Sequence, residues 1–182
     1  MKMKLFIPLL LFIVTSMTIS AQIVQPEGYR SLYFDREDYI STNGDTIVYL
    51  YEKGNRFKPE RTDYGQLAFG LKKMSKDFLQ IFKGEFPDLT YPDDLSKLGR
   101  NALCMYVDHE GNIISYYYRF KSGDLYLYPD MEKHLYNFAI SIKKNGLKKY
   151  DMHAIYPDSY CLVSYLFAYM YRALVLPEKN NK

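Results

Sequence analysis

The chain has 182 residues, of which 48% are hydrophobic and 25% charged, with a formal net charge of +3 at neutral pH. That length supports one domain with a core of its own. Once the leader described next is removed the charge falls to +1, and a nearly neutral domain lacks the long-range field that nucleic-acid binding needs, which sets nucleic acid aside as a partner.

Residues 1–21 read as a secretory signal peptide. Lys2 and Lys4 form a basic start, residues 5–14 an apolar run, and Ser20-Ala21-Gln22 places a small residue where a signal peptidase cuts. The run is shorter than the about 20 apolar residues needed to cross a bilayer, carries Pro8, and fades into Thr and Ser. Cleavage after Ala21 leaves 161 residues, removes two lysines and no acid, and leaves no transmembrane anchor. No cysteine stands near the cut, which argues against a lipid anchor, so the expected location is periplasmic or secreted. Cys104 and Cys161 would then meet an oxidising compartment, where an even count suits a disulfide; two small buried hydrophobes that never meet is the other reading. Tyr is frequent, at 20 residues, and Trp is absent. Half-buried strand positions in a β-rich domain account for this, and an aromatic contact surface for a protein or glycan is the sharper alternative.

In chain order, residues 22–42 show no clear period and read as irregular, with a short extended piece at 30–34. Asn43-Gly44-Asp45 signals a turn, and Thr46–Glu52 is β-branched and aromatic enough to be a strand. Gly54-Asn55 ends it, and Lys58-Pro59-Glu60 leads into a helix. Leu67, Leu71, Met74, Phe78 and Ile81-Phe82 form one stripe on a 3.6-residue period, which predicts core packing. Asp63 and Gln66 fit an N-terminal capping pair, Lys72, Lys73, Lys76 and Asp77 take the opposite face, and Gly84 and Pro87 mark the stop.

Residues 101–107 and 113–120 read as a hairpin. Leu103, Met105 and Val107 share one face of the first strand, with Ala102, Cys104 and Tyr106 on the other. Asp108-His109-Glu110-Gly111 supplies the reversal. In the return strand, Ile114, Tyr116, Tyr118 and Phe120 alternate with Ile113, Ser115, Tyr117 and Arg119, and Lys121-Ser122-Gly123-Asp124 ends it. A second helix follows Pro129, with Asp130 as N-cap, Met131, Leu135, Phe138 and Ile142 as its apolar stripe, and Asn145-Gly146 as its stop. Lys143, Lys144, Lys148 and Lys149 bracket that stop and read as a solvated helix end. Residues 160–176 are apolar on both alternating faces and are expected to form a strand covered on both sides, with a buried helix as the alternative.

The order of these elements and two motifs resemble the periplasmic C-terminal domain of TonB-like proteins, over about residues 85–176. The family's Tyr-Pro lead-in followed by acids and a later Gly matches Tyr91-Pro92-Asp93-Asp94 and Gly99, and its Val-Asp-x-x-Gly hairpin matches Val107-Asp108-His109-Glu110-Gly111. The Trp-containing or Pro-Ala stretch that follows the family's second helix is missing, with Lys148-Lys149-Tyr150 and Tyr156-Pro157 in its place. Also missing are a membrane anchor and a Pro-rich spacer, so the resemblance implies a relative of the domain and not an energy transducer. It implies binding of an extended peptide by strand addition at a sheet edge. In that fold the last strand lies beside the first strand of the hairpin, which implies a disulfide between Cys104 and Cys161.

No catalytic constellation stands out. His109, His134 and His153 lack zinc-motif spacing, Asp108, Glu110 and Asn112 lack the remaining ligands of a calcium loop, and the adjacent Asp93 and Asp94 do not make a glycosidase pair. No nucleophile elbow or phosphate-cradling Gly loop occurs. No catalytic residue, metal ligand or cofactor is therefore expected. The expected fold is α+β, with an antiparallel three-stranded β-β-α-β sheet, two helices on one face and a short N-terminal β element. Residues 22–60 form an N-terminal extension with a short strand, 61–176 the TonB-like domain and 177–182 a tail. The expected function is an exported non-enzymatic binding module for an envelope protein or peptide segment. Tyr116, Tyr118, Tyr165, Phe167 and Tyr169 are the candidate surface. A small hydrolase of unfamiliar type and a structural homodimer subunit are the alternatives.

Overall fold

The computed structural model describes residues 22–24, 28–63, 76–89, 101–126, 128–145, 156–168 and 170–171. Its elements are β1 (Gln22–Val24), β2 (Phe34–Ile40), β3 (Thr46–Glu52), β4 (Thr62–Asp63), α1 (Lys76–Glu85), β5 (Ala102–Val107), β6 (Ile113–Lys121), a 3-10 helix (Ser122–Tyr126), α2 (Met131–Asn145) and β7 (Tyr160–Leu166). One sheet runs in the order β1-β2-β3-β6-β5-β7-β4. Its five long strands, β2 to β7 across the middle, are all antiparallel, and the two-residue β4 adds to β7 in parallel. The expected β-β-α-β unit is the half β6-β5-β7 with α2. The expected three-stranded sheet is too small, because β2 and β3 form a hairpin that joins β6 through Ile47–Tyr51.

β2 is the strand missing from the expectation of irregular chain over 22–42. Its sequence, FDREDYI, has charges on both faces, which hides the alternation. Structure supplies their partners. Arg36 holds Asp38 on the same face, with Nε 2.7 Å from Oδ1 and Nη2 2.9 Å from Oδ2. On the other face Arg56 lies 2.7 Å from Glu37 and 3.7 Å from Asp35. With its charges paired, β2 pairs with β3 along all seven residues. The intervening turn closes on Gly44, whose φ of 80° is left-handed backbone that glycine adopts freely.

The β5–β6 reversal is tied by Asp108, whose carboxylate accepts from the backbone N–H groups of Glu110 at 2.9 Å and Asn112 at 2.7 Å. Gly111 takes the left-handed position, with φ 82°. A bulge follows: Tyr106 pairs with Ser115 but Val107 pairs with Ile113. The extra residue brings Ile113 onto the face of Val107 and into the core, reversing the face expected for it. Buried Asn101 fastens the opposite end: it donates to Asp124 at 2.7 Å, its side-chain oxygen accepts from the N–H of Lys121 at 3.0 Å, and its carbonyl accepts from Phe167.

Both helices cover one face of the sheet. Phe78 and Phe82 of α1 meet Phe138 of α2 edge-on, with centroids 5.5 Å apart, and below them lie Tyr165 and Phe167. Leu135, Phe138 and Ile142, the expected stripe of α2, are buried. Asp130 stands at its N-cap, its carbonyl accepting from Lys133 and His134. The stripe residues Leu67, Leu71 and Met74 lie outside the described residues, as do Gln66 of the expected capping pair and the lead-in at 91–99; Asp63 is the last residue of β4. The last strand is shorter than the expected 160–176. It stops at Leu166, opposite Ala102, where β5 begins and pairing ends, and Phe167, Ala168, Met170 and Tyr171 are helical.

Candidate functional site

Four of the five residues expected to form the aromatic surface are core residues. Tyr116 is 1% exposed, Tyr118 0%, Tyr165 4% and Phe167 0%, and Tyr169 lies outside the described residues. The reason is parity. Leu103 pairs with both Tyr118 and Tyr165, and Met105 pairs with Tyr116, so all of these point under the helices. Burial pushes the phenols of Tyr116 and Tyr118 well above their ordinary range, so both stay neutral. The Tyr118 hydroxyl donates to the carbonyl of Leu135 at 2.6 Å, whereas that of Tyr116 has no hydrogen-bond partner among the described residues.

Parity also rules out the disulfide. The cysteines do lie on neighbouring strands, but Cys104 pairs with Ser164 and Cys161 with Val107. An offset of three residues puts the thiols on opposite faces and separates them by about 10 Å along the strands, too far for a bridge. They are not bonded to each other. The Cys104 thiol lies 3.3 Å from the Ser164 hydroxyl, and burial raises its pKa.

The opposite face of the sheet carries the aromatic surface. Tyr39 of β2 meets Tyr49 of β3 edge-on at 4.8 Å, and Tyr49 lies 6.3 Å from Tyr51. Both reach Tyr117 of β6, at 6.0 and 5.7 Å, and Tyr117 lies 6.0 Å from Tyr106 of β5. Phe57, in the chain after β3, bridges Tyr106 at 5.9 Å to Tyr160 of β7 at 5.0 Å. The row crosses five strands, about 19 Å at the usual interstrand spacing. Every ring in it is half-buried. Arg56 lies over the Tyr51 ring at 5.9 Å and, with Glu37 and Asp35, makes one end charged. Burial, with help from Glu37, raises the phenols of Tyr39 and Tyr51, so the row presents hydroxyl groups and not phenolates at neutral pH. The alternation of Val48 and Leu50 with Tyr49 and Tyr51 was the signal for this face.

A second concavity lies between the chain around β2 and the start of α2. It measures about 770 Å³ and lies between Tyr29, Tyr33 and Arg36 on one side and residues 128–133, at the start of α2, on the other. Among the described residues no three His, Cys, Asp or Glu side chains are grouped to hold a metal ion. Of the histidines, His109 is exposed on the hairpin turn, His134 lies 3.6 Å from Glu85, and His153 lies outside the described residues. Comparison with known proteins finds no matching family, no matching curated protein and no matching solved structure.

Proposed function

We propose that this chain is an exported, non-enzymatic binding module that takes a protein partner on the open face of its sheet. The observation that carries the proposal is the unbroken aromatic row from Tyr39 to Tyr160. Tyrosine gives a large, stiff contact area with a hydroxyl at its tip, and Tyr and Arg are enriched at the centres of protein interfaces. Arg56 and its two acids supply the polar rim that fixes orientation. The leader over residues 1–21 and the TonB-like order of hairpin, helix and strand support an envelope setting. No helix among the described residues is long and apolar enough to cross a membrane.

Tyr39→Ala/Tyr49→Ala in the full chain should weaken capture of an envelope protein by about tenfold or more, whereas Ile140→Ala on exposed α2 should leave it unchanged. Equal capture by both folded variants would sink the reading. A concentration-dependent mass in light scattering, abolished by the face variant, would make the occupant a second copy of this chain.

A further inference from the structure

We propose that the groove between β2 and the start of α2 is a binding site for a neutral saccharide, independent of the open sheet face. A pyranose has an apolar C–H face, which packs on aromatic rings, and a belt of hydroxyls that need both acceptors and donors. The groove offers both: the rings of Tyr29, Tyr33 and Tyr128, and the carboxylates of Asp130 and Glu132. Its volume of about 770 Å³ falls inside the range of roughly 300–1,000 Å³ usual for small-molecule sites.

The walls are fixed in advance. The Tyr29 hydroxyl donates to Glu132 at 2.6 Å, spanning the two sides of the groove. The Arg36 guanidinium lies 5.3 Å from the centre of the Tyr29 ring and is held by its two-point contact with Asp38. Groups locked by their own neighbours lose little freedom when a ligand arrives, which matters most for weakly bound, strongly hydrated ligands such as sugars. Asp130 adds a second mark. It is the single non-glycine residue among those described with positive φ, at 49°, and strained backbone gathers at binding sites.

Charge selects the class. Asp38 offsets Arg36, which leaves Asp130 and Glu132 against Lys133, a balance of −1. Uronates, sulfated sugars and phosphates are repelled by that balance. A quaternary ammonium would also suit the tyrosines and acids, and Lys133 on the same wall weighs against it.

Affinity electrophoresis of the full mature chain tests the site, in gels containing xylan, mannan, starch or laminarin, with polygalacturonate as the acidic counterpart. At least one neutral polysaccharide should retard the protein. Tyr128→Ala and Glu132→Gln should each weaken that retardation about tenfold, and Tyr49→Ala on the open face should not change it. Glu132→Gln keeps the shape and the acceptor for Tyr29, so it decides the matter if Tyr128→Ala fails to fold. Three results would overturn the proposal: no retardation by any neutral polysaccharide, retardation that both groove variants keep, or stronger retardation by polygalacturonate. Displacement of the bound polysaccharide by millimolar tetramethylammonium would reassign the groove to a cationic ligand and overturn it too.

Discussion

Tyr116 and Tyr118 sit two residues apart on one strand, under the same helices, with their rings 6.1 Å apart, and are 1% and 0% exposed. They differ in hydrogen bonding: the Tyr118 hydroxyl donates to Leu135 at 2.6 Å, and the Tyr116 hydroxyl is buried with no partner among the described residues. Changing each to Phe removes one oxygen and keeps the ring, so packing nearly cancels and the hydrogen-bond difference remains. A made hydrogen bond contributes about 1 kcal/mol net, and a buried unmade one costs about 1–3 kcal/mol. Tyr118→Phe should therefore destabilise by about 1 kcal/mol, while Tyr116→Phe should stabilise by about 1 kcal/mol. With an urea slope of about 2 kcal/mol/M, the midpoints should move by about 0.5 M in opposite directions. Thermal midpoints should separate in the same sense, by about 2–4 °C per kcal/mol for a domain of this size. Midpoints that fall together would show that the Tyr116 hydroxyl is bonded. Midpoints that both stay put would show that neither hydroxyl contributes to stability.

The remaining predictions concern protons, thiols and the hairpin turn. Burial raises the phenols of Tyr116, Tyr117 and Tyr118 above the ordinary value of 10.0, so the folded state keeps protons that the unfolded state releases. Their contribution to stability is full below pH 10 and shrinks above it, by up to about 1.4 kcal/mol per pH unit for each of the buried pair Tyr116 and Tyr118. Absorbance at 295 nm should show these phenols ionising only together with loss of the circular dichroism signal; early, reversible ionisation would contradict their burial. Asp108 titrates in the other direction. Burial pushes its carboxyl up, but the donors from Asn112 and Glu110 outweigh that and hold it below its ordinary 3.8, so acid should loosen the turn as pH falls below about 4. Asp108→Ala should remove that acid sensitivity, as read from urea midpoints at pH 3 and 6. Denatured, unreduced protein should take up two alkyl groups by mass, whereas folded protein should react slowly, since both thiols are buried; an unalkylated species two mass units lighter than the dithiol would restore the bridge. Gly111→Ala should cost about 1–2 kcal/mol, because φ 82° places its Cβ against the following carbonyl. An unchanged midpoint would show that the turn can re-form without a glycine.

The hairpin, its turn and the α2 stripe were legible because each depends on local pattern: alternation, a glycine at the reversal, and a 3.6-residue period. What local pattern does not carry is a pairing partner. β2 reads as irregular because its charges lie on both faces, and two of them, Glu37 and Asp35, find their counter-charge in Arg56 outside the strand. The cysteines could be placed on adjacent strands, but only the register gave the odd offset that turns them to opposite faces. The run beyond Leu166 kept its apolar character, yet a strand ends where its neighbour does, and β5 starts at Ala102.

The aromatic surface is where the structure departs furthest from the sequence expectation, and the physical cause is which face of each strand is buried. Tyr116 and Tyr118, expected on the contact surface, lie on the face of β6 that is core. Aromatic content does not separate a surface from a core, since both are built from Tyr and Phe. The polar residues sharing each face do. Tyr116 and Tyr118 share theirs with apolar Phe120 and, across the bulge, Ile113, while Tyr117 is in step with Arg119, a side chain that is costly to bury without a partner. In β3 the aliphatic pair Val48 and Leu50 goes inward, and Tyr49 and Tyr51 take the other face. In β6 the tyrosine in step with Arg119 marks the wet side, and the pairing of β6 with β3 and β5 carries that face to Tyr49, Tyr51 and Tyr106, the row on which the proposed function rests.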